Sequence, residues 1–119
     1  MEIRLERPGD AAGIYAVEQA AFDRVGEAEL VDKVRAAHPQ AFSLVAVDDG
    51  QIVGHVLFSP MQVDPGKPGL KAAGLGPLAV LPERQCQQIG SALSVAGLDE
   101  CRRRGYDLAF VLGHSDYYP

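Results

Sequence analysis

Apolar and polar positions alternate along this chain with two different periods. Residues 2–6 show the twofold period of a strand, with Ile3 and Leu5 on one face. Arg7-Pro8-Gly9-Asp10 reads as a turn, and Asp10 stands where the N-cap of a following helix belongs. From Ala11 to Phe22 the period lengthens, with Ile14, Val17, Ala21 and Phe22 at helical spacing. A second amphipathic helix is expected from about Glu27 to Ala37, with Leu30, Val31 and Val34 on one side. His38-Pro39 ends it, because proline disfavours the helical conformation in the residue before it.

The strand period then returns. Phe42 to Val47 and Ile52 to Phe58 are β-rich runs, and the Asp48-Asp49-Gly50-Gln51 between them signals a hairpin. Ser59 to Lys71 holds three prolines and two glycines and is expected to be a loop. Leu75 to Val80 predicts a further strand. Gln88 to Arg104 predicts a helix with Ile89, Ala92, Leu93, Ala96 and Cys101 on one face, and Gly105 stands at its C-cap. Asp107 to Leu112 is the last apolar strand. The order β-α-α-β-β-β-α-β predicts an α/β (α+β) fold, a mixed and largely antiparallel sheet with helices on both faces.

Length and composition narrow the functional classes. The 119 residues form one expected domain, 1–119, with the 47% hydrophobic and 23% charged content of an ordinary globular protein. No apolar run approaches the roughly 20 residues needed to span a bilayer, and Met1-Glu2-Ile3-Arg4-Leu5 lacks the apolar core of a secretory signal. A cytoplasmic protein without membrane contact is therefore expected. The formal charge of −5 argues against a nucleic-acid partner. Arg102-Arg103-Arg104, the one basic cluster, closes a helix and suits its dipole. Cys86 and Cys101 are too few for a disulfide framework and lack metal-ligand spacing, so no metal is expected.

The segment from Leu75 to Leu93 carries the chemistry. A strand runs into a loop and then into a helix whose first turn contains Gly90 and Ser91. Free amides and the positive end of a helix dipole suit a phosphate at such a turn, although spacing alone favours a well-capped strand-to-helix connection. The phrase Leu78-Ala79-Val80-Leu81-Pro82-Glu83, then Gln85, then Ile89-Gly90-Ser91-Ala92-Leu93, resembles the acyl-CoA motif of the GCN5-related N-acetyltransferases. The element order and the ending Val111-Leu112-Gly113-His114-Ser115-Asp116-Tyr117-Tyr118-Pro119 resemble the same superfamily, in its bacterial small-molecule branch. The likeness covers essentially the whole chain. Against the family pattern, the last helix and strands are missing after Pro119.

The resemblance implies an N-acetyltransferase that moves an acetyl group from acetyl-CoA to a small-molecule amine. It places Leu78, Ala79 and Val80 along the pantetheine arm and the amides of Gln85, Cys86, Gln87, Gln88, Ile89, Gly90 and Ser91 around the pyrophosphate. The family pattern is Gln/Arg-x-x-Gly-x-Gly/Ala, and Gln88 departs from it at the first glycine. The same resemblance puts Tyr118, with Tyr117 second, in the place of the general acid, and the amide nearest Leu78 at the thioester carbonyl. Glu27 and Glu29, on the helix that borders the acceptor site in the family, are the candidates for the base. His55 and His114 titrate in the right range but have no partner identifiable in the sequence, which reads as structural. A catalytically inactive acyl-CoA-binding or regulatory module and a shortened product without activity are the alternative readings. An open edge at the last strand is expected to favour a homodimer.

Overall fold

The computed structural model describes residues 1–61 and 70–111. Five strands form one sheet in the order β1-β2-β3-β4-β5, comprising β1 (Glu2–Leu5), β2 (Phe42–Asp48), β3 (Gln51–Met61), β4 (Ala72–Val80) and β5 (Leu108–Val111). The first four are antiparallel neighbours, and β5 runs parallel to β4. Helices α1 (Ala11–Phe22) and α2 (Gly26–Ala37) cover one face. Helix α3 (Ile89–Arg103) covers the other.

The alternation of each strand sorts its side chains between these two layers. Leu44, Ala46, Val56, Phe58 and Leu75 pack under Ile89, Leu93 and Cys101 of α3. Val45 and Leu57, one residue out of phase, pack under Ile14 and Val31 of the first two helices. Helix α3 lies close to the sheet because it presents Gly97 to Phe58, whose ring stacks on Phe42 at 5.1 Å between centroids.

Local chemistry explains most element ends. The β2–β3 turn has Asp49 at φ 52° and Gly50 at φ 77°, the two positive values a primed hairpin turn requires. Gly105, at φ 85°, ends α3 as expected, and the next amide, on Tyr106, donates to Cys101 O. Asp10 does precede α1, but its carboxylate does not cap the helix. It accepts from the Arg7 amide and from the Arg4 guanidinium, both at 2.7 Å, so it ties the turn to β1 instead.

Two strand boundaries differ from the sequence reading. The stretch expected to be loop from Ser59 onward begins as strand: β3 continues to Met61, and β4 starts at Ala72 rather than Leu75. Pro60, opposite Ala73, is tolerated because the β2 ladder has already ended at Phe42↔Phe58, so on that side of β3 no ladder bond needs its amide.

An irregularity in β4 positions the site. Val56 pairs with Leu78, and Phe58 pairs with Leu75, so Gly76 and Pro77 together face the single residue Leu57. The bulge bends β4 between two parts with different neighbours. Ala72–Leu75 pairs with β5, whereas Leu78–Val80 runs on toward the start of α3.

Candidate functional site

The end of β4 and the start of α3 enclose an open cleft of about 390 Å³, lined by Val80, Arg84, Gln85, Cys86, Gln88, Ile89, Gly90 and Ser91. A single 3-10 turn over Pro82–Arg84 leads into it. The Gln85 side-chain amide donates to Val80 O at 3.1 Å and closes the loop back on β4. The first backbone bond of α3 runs from the Ala92 amide to Gln88 O at 3.0 Å. The amides of Ile89, Gly90 and Ser91 therefore have no acceptor within the helix and stand at its positive end.

Gly90 stands beside β4, with room there for a side-chain carbon. A Cβ built there would sit 3.7 Å from Leu78 Cδ2 and 3.9 Å from Val80 Cγ2, an ordinary van der Waals contact. Before it, Cys86 and Gln88 both hold the left-handed conformation, at φ 66° and 65°. Only glycine adopts that region without penalty. The departure at Gln88 is thus accompanied by a second at Cys86, which sequence reasoning missed because a left-handed φ leaves no mark on a cysteine.

Of the residues expected at the cofactor site, seven line the cleft. Leu78, Ala79 and Gln87 stand just outside it. Ala79 is buried, and its register opposite His55 places it on the α1 side of the sheet. Gln87 accepts from Arg84 Nε through its side-chain oxygen at 3.1 Å. Arg84, which the sequence did not single out, lines the cleft and also donates from Nη2 to Asp48 Oδ2 at 2.6 Å. It links the β2–β3 turn to the loop. The signal was an arginine beside the motif, and the partner lies 36 residues away in sequence.

The expected catalytic groups are not brought to this cleft among the described residues. Glu27 is half-buried in the first turn of α2, on the face opposite α3, and its carboxylate accepts from Arg24 at 2.8 and 2.9 Å. Glu29 is exposed on the same turn. Tyr117, Tyr118 and His114 lie outside the described residues.

His55 has two partners that the sequence could not identify. Its Nδ1 lies 2.6 Å from Glu18 Oε2, and its Nε2 lies 2.8 Å from Ser43 Oγ. All three residues are buried, at 0%, 0% and 2% exposure. Burial pushes the Glu18 carboxyl up to about 9, helped by the charge of Glu27. Burial likewise pushes the His55 imidazole down to about 3, helped by Arg35. Both shifts favour the uncharged forms. The protonated carboxyl then donates to Nδ1, and Nε2–H donates to Ser43 Oγ. Sequence could not reveal this because Glu18, Ser43 and His55 come from α1, β2 and β3 and meet only after those elements pack.

The family model described as an acetyltransferase (GNAT) domain matches residues 2–118. The chain belongs to that family. It is 39% identical over 113 residues to the uncharacterized N-acetyltransferase YjhQ of Escherichia coli strain K12, covering 92% of this chain and 62% of that protein. It is also 39% identical over 119 residues to the uncharacterized N-acetyltransferase YhbS of the same strain, covering 99% and 70%. The fold superimposes on a GNAT family acetyltransferase from Brucella melitensis in complex with acetyl-CoA, with a TM-score of 0.83 and 44% identity, over 98% of this chain and 78% of that one. It also superimposes on Escherichia coli YhbS in complex with CoA, with a TM-score of 0.84 and 38% identity, over 98% and 64%. The chain thus spans just under two thirds of the length of YjhQ and of that YhbS chain.

Proposed function

We propose that this chain is an acetyl-CoA-dependent N-acetyltransferase acting on the amine of a small molecule. The observation that carries the reading is the cleft at the start of α3, where first-turn amides without helical acceptors face the loop that begins at Gln85. Such a site suits a pyrophosphate, and relatives with the same fold are seen with acetyl-CoA and with CoA.

In this reading acetyl-CoA supplies the acyl group, and the chain binds and orients it. The loop from Gln85 to Ser91 holds the pyrophosphate, and the bent end of β4 at Leu78–Val80 runs beside the pantetheine arm. The amide nearest Leu78 polarises the thioester carbonyl. The acceptor nitrogen attacks that carbonyl as the neutral amine and gives up a proton to Glu27 or to water, the carbon–sulfur bond breaks, and Tyr118 or Tyr117 gives a proton to the departing thiolate. Glu27 stands on the acceptor side, where a carboxylate favours a cationic amine. The protein works in the cytoplasm. A homodimer through β5 belongs to the same proposal, because among the described residues Leu108, Phe110 and Val111 are exposed apolar residues on a strand at the edge of the sheet. Light scattering that finds a monomer overturns the dimer.

Calorimetric titration with acetyl-CoA tests the function, with Gln88→Gly in parallel. The parent is expected to bind, and the glycine to bind about tenfold more tightly if it regains one charge-assisted hydrogen bond to phosphate. Absence of heat from both proteins overturns the reading.

A further inference from the structure

The buried chain Ser43–His55–Glu18 joins three elements that the hydrophobic core alone would hold more cheaply. Buried polar groups lose water and repay it only through complete hydrogen bonding, yet this chain ends in an atom without a partner. Among the described residues, Glu18 Oε1 is the one buried side-chain oxygen or nitrogen left unsatisfied. An apolar trio of the same volume would avoid that penalty, so the network calls for a role beyond packing.

Its position suggests the role. On one side, His55 pairs in register with Ala79, the residue after Leu78 at the bent end of β4. On the other, Glu18 occupies the last half of α1, within electrostatic reach of Glu27 beyond the α1–α2 junction. The network therefore spans the distance between the strand beside the cleft and the junction that carries Glu27. Among the described residues, the charged groups that act on it from neighbouring elements are Glu27 and Arg35, both of α2.

We propose that Glu18, His55 and Ser43 form a positioning unit for the transfer reaction, which locks the α1–α2 junction and its Glu27 to the Leu78–Ala79 part of β4 for as long as Glu18 keeps its proton. The proposal rests on the functional reading above, with the acceptor amine on the α1–α2 side of the sheet. Loss of the Glu18 proton leaves a buried carboxylate whose Oε2 accepts from Nδ1 only after the imidazole takes the Nδ1–H tautomer, and whose Oε1 has no donor. The unit then repels Glu27 and releases the junction. Glutamine at position 18 mimics the protonated carboxyl, because its amide N–H donates to Nδ1 while its oxygen carries no charge.

Amide hydrogen exchange in the absence of any ligand tests this in the parent, Glu18→Gln and Glu18→Ala, at about pH 6 and about pH 10. After correction for intrinsic exchange rates, junction amides 24–28 of the parent are expected to lose about tenfold protection at the higher pH. Glu18→Ala loses it at both pH values and Glu18→Gln at neither, while amides 92–97 of α3 change only by as much as the global stability measured in denaturant at the same pH. Equal protection of the junction in all proteins and at both pH values overturns the proposal, as does a loss spread evenly over both segments. In turnover with spermidine as the probe amine, Glu18→Ala raises the KM for spermidine and Glu18→Gln restores it, whereas a raised KM for acetyl-CoA alone counts against it. Failure of the parent to bind acetyl-CoA strikes the functional reading and leaves the exchange result to decide the positioning unit.

Discussion

Cys86 and Gln88, two residues apart in the loop before α3, both hold a left-handed backbone at φ 66° and 65°. Each bears a Cβ where the conformation favours none, a penalty on the order of 1 kcal/mol per residue. The strain sits at the mouth of the cleft, where the loop must turn its amides toward the helix start. Cys86→Gly and Gln88→Gly are each expected to raise stability by about 0.5–1 kcal/mol, less than the full strain because glycine also loosens the unfolded chain. Urea unfolding measures the gain. No gain from either variant shows that the loop does not hold this conformation in solution.

Gly97 and Gly90 make opposite predictions on one helix. A Cβ at Gly97 would lie 2.1 Å from Cε1 of Phe58, a ring already stacked on Phe42, so Gly97→Ala must push the helix off the sheet. Overpacking of this kind costs about 1–3 kcal/mol, visible as a lower thermal midpoint. Gly90→Ala meets only van der Waals contacts and should leave stability unchanged or slightly higher, while weakening acetyl-CoA. Equal melting of the two variants contradicts the packing.

The Glu18–His55 pair sets the pH dependence of folding. His55 has its pKa lowered from 6.5 to about 3, so its contribution weakens as the pH falls through that interval. Glu18 has its pKa raised from 4.5 to about 9, so its burial grows more costly as the pH rises through that interval. The two opposing effects cancel where the intervals overlap. A plateau is therefore expected between pH 4.5 and 6.5, with stability falling from there toward about pH 9. The slope approaches about 1.4 kcal/mol per pH unit, the value for a one-proton difference. Denaturant midpoints across this range check it, and Glu18→Gln should abolish the alkaline fall. A parent midpoint that stays constant to pH 9 shows that Glu18 is ionised in the fold.

Asp48→Ala separates the loop from the hairpin. Arg84 holds Asp48 at 2.6 Å and Gln87 at 3.1 Å, with both members of the ion pair partly exposed. An exposed pair of this kind contributes less than about 1 kcal/mol, so folding should change little. Acetyl-CoA affinity should fall several-fold, because the arginine no longer fixes the loop against β2 and β3. Unchanged calorimetric affinity removes Arg84 from the site.

The elements were largely legible in the sequence, and the physical reason is local. Helix α1 carries an apolar residue at each turn, the Asp49-Gly50 pair supplies two positive φ values, and Gly105 ends α3, so each signal lies within a few residues of the structure it dictates. The start of β4 was missed because Ala72 and Ala73 have no strand signal of their own. They join the sheet only because Met61, Pro60 and β5 pair with them. The loop from Gln85 to Ser91 was readable as a motif, since its residues are contiguous.

What only the tertiary structure decided are the relationships between distant positions. The bulge of Gly76 and Pro77 against Leu57 depends on the register of two strands. The grip of Asp48 on Arg84 crosses from a hairpin to a loop. Glu18, Ser43 and His55 look like unrelated polar residues in the sequence. They become one proton-holding chain because the strand alternation turns Ser43 and His55 to the same face, and α1 brings Glu18 over them into the buried layer. Periodicity determines which face a side chain takes, and packing alone determines which partner it finds there.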